Sequence, residues 1–419
     1  MEETSQRPAL SEDEVSQIIL RRLKSDKFII VSFTLDMMGE WIGLCGDHAI
    51  LNVNIKPGDE LKTSETRFTF FVKLYPRVPS IVEFIEGTGA FKKEIFMYKL
   101  FALMEDEAIR TLEDCIPRCY LTSEKYIVME NLMKTGYRSL NKHEFFDWDS
   151  VKVALEALAR LHASSLIYEE KKSCRLIDIY GREFEESYYN DREDFPLKRE
   201  IGAAITGVLN SIKLFNFPEK LISGKDFRTV LSQVCPRVYD LVKPSKKFRN
   251  VVCHGDIWAT NVVIKHDEDN KPVKGRLVDF QCARYAPPAQ DIMSLIHLTT
   301  SREFRKRFMY NLIGIYYTDL EKHVTLGGYD MKKIIPFEEF LASCEEQKLF
   351  GMIQAATYFP LILLESQTVK EFFGDEEKNK EALFEDRSIL IREYMDKDEN
   401  YKNRIRDSIL DLKDYCDYL

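Results

Sequence analysis

The sequence predicts an α+β protein of two unequal lobes, a small sheet-rich lobe followed by a larger helical one. Three observations predict this architecture. Runs rich in β-branched and aromatic residues crowd the first 130 positions, and helical periodicity dominates the rest of the chain. In addition, 45% of the 419 residues are apolar, which is enough for a substantial core. We place the boundary so that residues 1–129 form the N-terminal lobe and residues 130–419 the C-terminal lobe.

The N-terminal lobe is predicted to open with a helix over residues 11–24. Ser11 and Glu14 form a capping-box pattern there, and apolar residues recur on one face. Four strands and one long helix complete this lobe. The strands are predicted at residues 28–33, 49–55, 67–74 and 126–130, and the helix at about residues 91–104. Three glycines between the first two strands could let backbone N–H groups approach a phosphate; they are Gly39, Gly43 and Gly46.

The C-terminal lobe is predicted to be mostly helical. One helix at residues 149–166 has apolar residues at helical spacing, with His162 on the apolar face. Residues 180–245 are charged and aromatic and are also predicted to be helical. Two short strands at residues 262–265 and 276–280 flank a turn, and helices continue from Asp291. Three prolines are predicted to mark helix boundaries, namely Pro218, Pro236 and Pro336.

Composition argues against several classes of function. Sixty Lys and Arg against 69 Asp and Glu give a net charge of −9, which is unlike a nucleic-acid binder. No apolar stretch is long enough for a membrane helix, and the polar, acidic start is unlike a secretion signal. The nine cysteines follow no disulfide or zinc spacing, so we predict a reducing, cytoplasmic setting. The sequence predicts no protein partner.

The most informative segment runs from Cys253 through His254 and Asp256 to Asn261, and a second acid, Asp279, lies in a hydrophobic run further on. This spacing is typical of the catalytic loop and metal-binding acid of kinases. Asp256 can accept the proton of a hydroxyl group, while Asn261 and Asp279 can offer oxygen ligands to Mg²⁺.

The two acids also explain why a metal is needed. Two carboxylates about 4 Å apart repel each other by about 4 kcal/mol at an effective dielectric constant of 20. The phosphates of ATP add negative charge to the same site. Mg²⁺ prefers this combination of one or two carboxylates with phosphate oxygens. We therefore predict catalysis at Asp256, metal binding at Asn261 and Asp279, and ATP and Mg²⁺ as cofactors.

A lysine and a glutamate upstream supply the context that this motif requires. Lys73 ends a strand-like run, and Glu94 lies on the predicted helix at residues 91–104. A strand lysine paired with a helix glutamate holds the α- and β-phosphates of ATP in kinases. Without the downstream motif, both residues would be read as ordinary surface charges.

On these residues, the chain resembles the ecdysteroid-kinase-like family, which is related to choline kinases and aminoglycoside phosphotransferases. The most specific matches are His254-Gly255-Asp256-Ile257-Trp258 with Asn261, and Val278-Asp279-Phe280-Gln281 with Arg284 and Asp291. Further matches lie at residues 72–76, 91–98, 116–120, 128–132, 136–138 and 157–165. The resemblance is clear from about residue 68 to residue 298.

The resemblance implies a protein-kinase-like two-lobed fold and an ATP-dependent kinase. Such an enzyme transfers the γ-phosphate to an alcohol group of a small molecule, which is an ecdysteroid for the namesake members. By analogy with other kinases, the backbones of Glu130 and Leu132 would contact adenine. The glycine loop departs from the family pattern. For that reason, a non-catalytic nucleotide-binding or scaffold protein with this fold is the alternative.

A protein kinase is disfavoured because Ala286 follows Asp279 too closely to leave room for a phosphorylatable activation segment. Other residues near the motif allow two interpretations each. His162 is predicted to be a core histidine bonded to backbone rather than a catalytic residue. Asp291 is predicted to cap a helix, to brace the catalytic loop as the resemblance implies, or to do both. Residues that could contact substrate, or could simply pack, are Trp258, Arg284, Tyr285, Tyr188 and Tyr189.

Overall fold

A computed structural model describes residues 10–38, 47–58, 64–365, 368, 372 and 376–419. Ten strands are distributed over three antiparallel sheets in these residues. The strands are β1 (Phe28–Met37), β2 (Asp47–Pro57), β3 (Thr66–Leu74), β4 (Cys119–Thr122), β5 (Tyr126–Glu130), β6 (Tyr137–Ser139), β7 (Val251–Cys253), β8 (Val262–His266), β9 (Pro272–Leu277) and β10 (Arg284–Ala286). None of the helices in the described ranges is long and apolar enough to cross a bilayer.

Fifteen α-helices are found in the same part of the chain. Most of them follow β5. They are α1 (Glu12–Leu23), α2 (Pro79–Thr88), α3 (Ala90–Asp106), α4 (Trp148–Lys172), α5 (Leu176–Tyr180), α6 (Lys198–Leu214), α7 (Phe227–Val234), α8 (Val238–Leu241), α9 (Ala289–Thr299), α10 (Arg302–Leu326), α11 (Met331–Ile334), α12 (Phe337–Ile362), α13 (Glu376–Phe384), α14 (Ser388–Tyr394) and α15 (Glu399–Asp417).

The N-terminal sheet has the strand order β1-β2-β3-β5-β4. Its β2 and β3 pair so that His48 lies opposite Lys73, and β3 pairs with β5 so that Lys73 lies opposite Ile127. Helix α1 covers one face of the sheet with the buried residues Val15, Ile18 and Ile19. The predicted capping box is present, since Ser11 and Glu14 bond each other's backbone N–H groups. The sheet therefore fixes Lys73 on a central strand.

Helix α3 packs on the larger lobe as well as on the sheet. Its buried residues belong to the same apolar cluster as α4, α9 and the hairpin β8–β9. This cluster contains Phe101 of α3 and Phe280, whose rings meet edge to face at 5.0 Å between centroids. Burial of such aromatic pairs stabilises the contact between the two parts of the molecule. As a result, α3 presents Glu94 toward Lys73 and the turn at Asp279.

A second apolar cluster is built mainly from α6, α7, α8, α12, α13, α14 and α15. Helix α12 packs against α9, α6 and α15, and α15 is held by an ion pair between Asp411 and Arg305 at 2.6 Å. The helical prediction for the end of the chain is confirmed for these elements. Pro336 precedes α12 as its N-cap, Pro218 follows α6 and Pro236 lies at the end of α7, as predicted.

Two predicted elements differ from the structure. The helical prediction for residues 180–245 is confirmed for α6, α7 and α8, but residues 181–197 contain no regular helix or strand. The predicted strand at residues 276–280 instead spans Pro272–Leu277. It ends there because Asp279 adopts a φ of 71°, a left-handed conformation that a strand cannot contain. Helix α2, which the sequence did not predict, follows Val78.

Candidate active site

Lys73, Glu94 and Asp279 meet at the junction of β3, α3 and the end of the β8–β9 hairpin. The Nζ atom of Lys73 lies 2.6 Å from Oε2 of Glu94 and 2.7 Å from Oδ1 of Asp279. Lys73 and Glu94 are buried, with 6% and 1% of their surfaces exposed. Burial opposes the charge on Lys73, but the carboxylates of Asp279 and Glu94 outweigh it and raise the pKa of the ammonium. The lysine is therefore held charged between two acids.

Asp256 and Asn261 lie on the loop that follows β7. The Nδ2 atom of Asn261 donates to the backbone carbonyl of Asp256 at 2.8 Å and to its Oδ2 at 3.1 Å. These bonds orient the Asp256 carboxylate. Oδ1 of Asn261 accepts a bond of 3.4 Å from Thr260 and keeps a lone pair for a further partner. The N–H of Val278 donates to the carbonyl of Asn261, which brings Asn261 beside the start of the Asp279 turn. The structure thus brings together the residues predicted for catalysis and metal binding.

The charges in this cluster favour a divalent cation. Burial, followed by the nearby charge of Asp279, raises the pKa of Asp256 to about 7, while Arg284 and Asn261 act in the opposite direction. The carboxylate oxygen of Asp279 that does not contact Lys73, Oδ2, accepts a hydrogen bond of 3.3 Å from the side-chain amide of Gln281. Two mutually repelling carboxylates beside an amide oxygen match the donor set that Mg²⁺ takes with phosphate oxygens.

Asp291 holds the backbone of the loop at residues 254–261, which we call the candidate catalytic loop. Its Oδ2 accepts the N–H of His254 at 2.6 Å, and its Oδ1 accepts the N–H of Gly255 at 3.0 Å. His162 contacts Oδ2 at 3.1 Å and also bonds the hydroxyl of Tyr316 at 2.6 Å. Burial alone would raise the pKa of Asp291, yet the imidazoles and backbone N–H groups around it lower the pKa.

This arrangement decides two predictions. Asp291 braces the loop through backbone bonds, as the second interpretation held, and it does not cap α9, whose N-cap is Pro288. The prediction that His162 bonds to backbone is wrong for its ring, because both ring nitrogens contact side chains. The helical pattern placed His162 in the core correctly but carried no information about partners so distant in the sequence.

Replacing Asp291 with asparagine is expected to destabilise the protein by about 2–4 kcal/mol, since an amide NH₂ would face a backbone N–H donor in a buried site. Urea unfolding of the variant measures the change, with the exposed Asp396→Asn as the control. Equal midpoints for the two variants would contradict the bracing role.

The two residues predicted to contact adenine, Glu130 and Leu132, lie at the end of β5 and just after it. Glu130 uses its backbone N–H to bond the carbonyl of Arg118 at 2.8 Å, and its carboxylate pairs with Arg276 at 2.5 Å. Leu132 is buried at the start of a 3-10 turn, where its carbonyl accepts from Thr135. Their backbone contacts with adenine stay a prediction. The three glycines proposed to approach the phosphates lie at residues 39–46, outside the described residues.

The region of the sequence that contains this site matches the model of a known protein family. The model of the ecdysteroid kinase-like family matches residues 48–329, about two thirds of the chain. The chain belongs to the ecdysteroid kinase-like family. The matched region contains all the residues predicted for the site, from Lys73 to Asp279. Membership supports a small-molecule kinase, and the predicted protein-kinase-like, two-lobed α+β fold is confirmed.

Solved structures with low identity are also similar to this ecdysteroid kinase-like chain. An ethanolamine kinase of Plasmodium vivax has 12% identity and a TM-score of 0.40, covering 92% of this chain and 83% of its own. A choline/ethanolamine kinase family protein of Mesorhizobium loti has 14% identity and a TM-score of 0.29, covering 83% and 90%. The GDP and kanamycin complex of APH(2″)-IIia has 12% identity and a TM-score of 0.37, covering 88% and 99%. Such values carry no argument about the reaction. No curated protein sequence matches the chain.

One residue of this ecdysteroid kinase-like site was not predicted, and two side chains named from the sequence as possible substrate contacts are buried. His48, opposite Lys73 on β2, is held neutral: burial and then the charge of Lys73 lower its pKa to about 4. Arg284 and Tyr285 do not line the cleft, since they are buried with 1% and 3% exposure. Tyr285 instead donates to Glu169 at 2.7 Å. No sequence pattern signals these contacts, because each joins residues far apart in the chain.

Aromatic side chains stand near Asp256 in this family member. Tyr188 is half-buried and packs edge to face on Tyr358 at 5.3 Å between ring centroids. The charge of Asp256 acts on both tyrosines and contributes to raising their pKa values after burial. Trp258 is half-buried between the two apolar clusters of the helical lobe. Tyr188, which could contact substrate or simply pack, thus packs on Tyr358 within electrostatic range of Asp256, and its contact with substrate stays a prediction.

Glu200, near Tyr188, gives a testable pH dependence. Burial raises the pKa of Glu200 from 4.5 to about 7, although Arg387 opposes the shift. The folded state thus holds this proton more tightly than the unfolded chain, so ionised Glu200 destabilises the fold. The cost is absent below about pH 4.5 and complete above about pH 7.

Replacing Glu200 with glutamine is therefore expected to stabilise the protein at pH 8 by about 2–3 kcal/mol, and by much less at pH 5. Urea midpoints at the two pH values measure the effect, with the exposed Glu183→Gln as the control. A gain of the same size at both pH values would contradict the assignment.

Proposed function

We propose that the protein is an ATP-dependent kinase that transfers the γ-phosphate to an alcohol group of an ecdysteroid-like or other small hydroxylated molecule. The observation that carries this proposal is the meeting of Lys73, Glu94 and Asp279 within ion-pair distance beside the Asp256–Asn261 pair. Each of these side chains has a role in phosphoryl transfer, and a purely structural site has no use for the whole set.

The residues divide the reaction between them. Lys73, fixed by Glu94, would bind the α- and β-phosphates of ATP. Asp256 would accept the proton of the acceptor hydroxyl while the hydroxyl oxygen forms a bond to the γ-phosphorus. The bond between the γ-phosphorus and the oxygen that bridges it to the β-phosphate would break, which releases ADP. Mg²⁺ held by Asp279 and Asn261 would neutralise the charge of the phosphate oxygens. The backbones of Glu130 and Leu132 would hold adenine at the end of β5.

The acceptor site is proposed to lie beside Asp256, between Tyr188, Tyr358 and Trp258. Apolar and aromatic walls with few polar groups suit a bulky apolar alcohol such as a steroid. The eight described cysteines are free thiols, which fits the cytoplasmic setting that we predict.

A screen of acceptors tests the proposal. The full-length protein is incubated with Mg²⁺-ATP and a panel of hydroxylated steroids, choline, ethanolamine, aminoglycosides and plant alcohols, and phosphorylated products are detected by mass spectrometry. Product formed by the wild type and not by Asp256→Asn supports the proposal. If Mg²⁺-ATP neither binds nor raises the melting temperature at millimolar concentration, the catalytic proposal is wrong and a scaffold role is favoured.

A further inference from the structure

Residues 184–190 contact α3 at one end and the region of the candidate catalytic loop at the other, and we call them the bridging segment. They lie between α5 and α6 and contain no regular helix or strand. Irregular backbone of this kind is normally exposed and variable in position. Here, however, Phe184, Ser187 and Tyr189 are buried, with 1–5% of their surfaces exposed. The bridging segment is therefore held in place by contacts at both ends.

At its first end, the bridging segment is attached to the helix that carries Glu94. The ammonium of Lys93, the neighbour of Glu94 on α3, donates to the backbone carbonyl of Glu185. Lys93 is buried, with 8% exposure. The ring of Phe184 meets that of Phe96, also on α3, at 5.5 Å between centroids. A buried charge with a backbone acceptor and an aromatic contact fix the helix to the segment.

At its second end, the bridging segment is attached to the catalytic loop through Arg284. Glu186 pairs with the Nε of Arg284 at 3.0 Å, and a second guanidinium nitrogen donates to Oε1 of Glu186 at 3.3 Å. The same Oε1 accepts the backbone N–H groups of Tyr188 and Tyr189 at 2.8 and 2.9 Å. Glu186 therefore shapes the segment and holds Arg284 at once.

Arg284 in turn lies against the catalytic loop. Its Nε would be 3.2 Å from a Cβ atom built on Gly255, the residue before Asp256. It also donates to Gln290 at 3.3 Å, which ties it to the start of α9. The hydroxyl of Ser187 adds a bond of 3.4 Å to the carbonyl of Gln281, two residues after Asp279. The bridging segment thus contacts the loop that carries Asp256, through Arg284, and the turn that carries Asp279, through Gln281.

We propose that Lys93, Glu186 and Arg284 are positioning residues that fix the helix bearing Glu94 relative to the catalytic loop. This inference rests on the proposed kinase function. The chain after Asp279 already contacts α3 through the ring of Phe280, which packs on Tyr98 and Phe101. The bridging segment adds a second attachment beside Glu94, at Lys93, and joins it through Glu186 and Arg284 to the loop that carries Asp256.

A double-mutant cycle on Mg²⁺-ATP affinity tests the inference. The dissociation constant is measured by calorimetry for the full chain with Lys93→Met, alone and combined with Glu94→Gln. Lys93→Met is expected to weaken binding about fivefold. If Lys93 acts through Glu94, it should change binding by less than about twofold in the Glu94→Gln background. The matched control is Lys92→Met, which alters the exposed lysine next to Lys93 on the same helix and should leave binding unchanged.

This readout separates positioning from stability. Methionine matches the buried stem of Lys93 and keeps the packing of α3, while the carbonyl of Glu185 loses its donor. The dissociation constants are measured well below the melting temperature of each variant, so a loss of stability does not enter the comparison. If Lys93→Met does not fold, Glu186→Gln replaces it in the same cycle, because glutamine keeps the bonds to the N–H groups of Tyr188 and Tyr189 and removes only the charge that holds Arg284.

Three outcomes distinguish the proposals. If Lys93→Met weakens Mg²⁺-ATP binding in the wild-type protein but not in the Glu94→Gln variant, the positioning role is supported. An unchanged affinity in Lys93→Met, or an equal loss in both backgrounds, overturns this inference while Mg²⁺-ATP binding by the wild type keeps the kinase proposal intact. Absence of Mg²⁺-ATP binding in the wild type overturns both.

Discussion

Replacing Asp256 with asparagine is expected to lower the rate of phosphoryl transfer by about 10²- to 10⁴-fold, with little change in Mg²⁺-ATP affinity. Asparagine matches the carboxylate in size and can still contact Asn261, but it cannot accept the proton of the acceptor hydroxyl. The ATP contacts assigned to Lys73 and Asp279 remain. Initial rates of product formation, together with calorimetric binding of Mg²⁺-ATP, measure the two effects separately.

The matched control for this variant is Asp269→Asn, which makes the same chemical change in the exposed turn between β8 and β9. Its rate should equal that of the wild type. Full activity of Asp256→Asn would exclude Asp256 as the base. A parallel loss of ATP binding and rate would instead assign Asp256 to the metal site, since a pure base affects only the chemical step.

Local patterns in the sequence predicted local structure well. The capping box at Ser11 and Glu14 was placed correctly because it depends on short-range hydrogen bonding. The strand at Tyr126–Glu130 was placed correctly because it is a short, continuous run of mainly buried, apolar residues. The early end of β9 was not predicted. Val278 and Phe280 read as strand residues, and the left-handed turn at Asp279 between them is imposed by the surrounding structure rather than by residue type.

The candidate site was predictable only in part for the same reason. The order of His254, Asp256, Asn261 and Asp279 is a local motif, and Lys73 and Glu94 could be added by analogy with kinases. The structure brings the lysine and the two acids together. In contrast, the contacts of Lys93, Glu186 and Arg284 join three distant segments, and a charged residue in a sequence is normally read as exposed. Burial of such charges becomes visible only in the folded chain.

Among the glycines that the structure describes, Gly255 is the one where an added Cβ atom meets the shortest contact. It adopts a φ of 81°, which disfavours any residue with a Cβ atom. A Cβ built there would lie 2.0 Å from the carbonyl oxygen of Cys282, far inside van der Waals contact. Alanine therefore has to displace either the catalytic loop or the chain after Asp279, and both carry residues of the candidate site.

Gly255→Ala is expected to destabilise the protein by about 4 kcal/mol and to abolish phosphoryl transfer. Two matched glycines separate the causes. Gly89→Ala has a φ of 68° but nothing within 4 Å, so it should show only the backbone strain of about 1 kcal/mol. Gly202→Ala in α6 has neither problem and should be stabilising by about 0.5–1 kcal/mol. Urea unfolding gives the three free energies of unfolding. If Gly255→Ala and Gly89→Ala lower the free energy of unfolding by the same amount, the loop is free to move away from Cys282. The fixed geometry assigned to Asp256 would then be wrong.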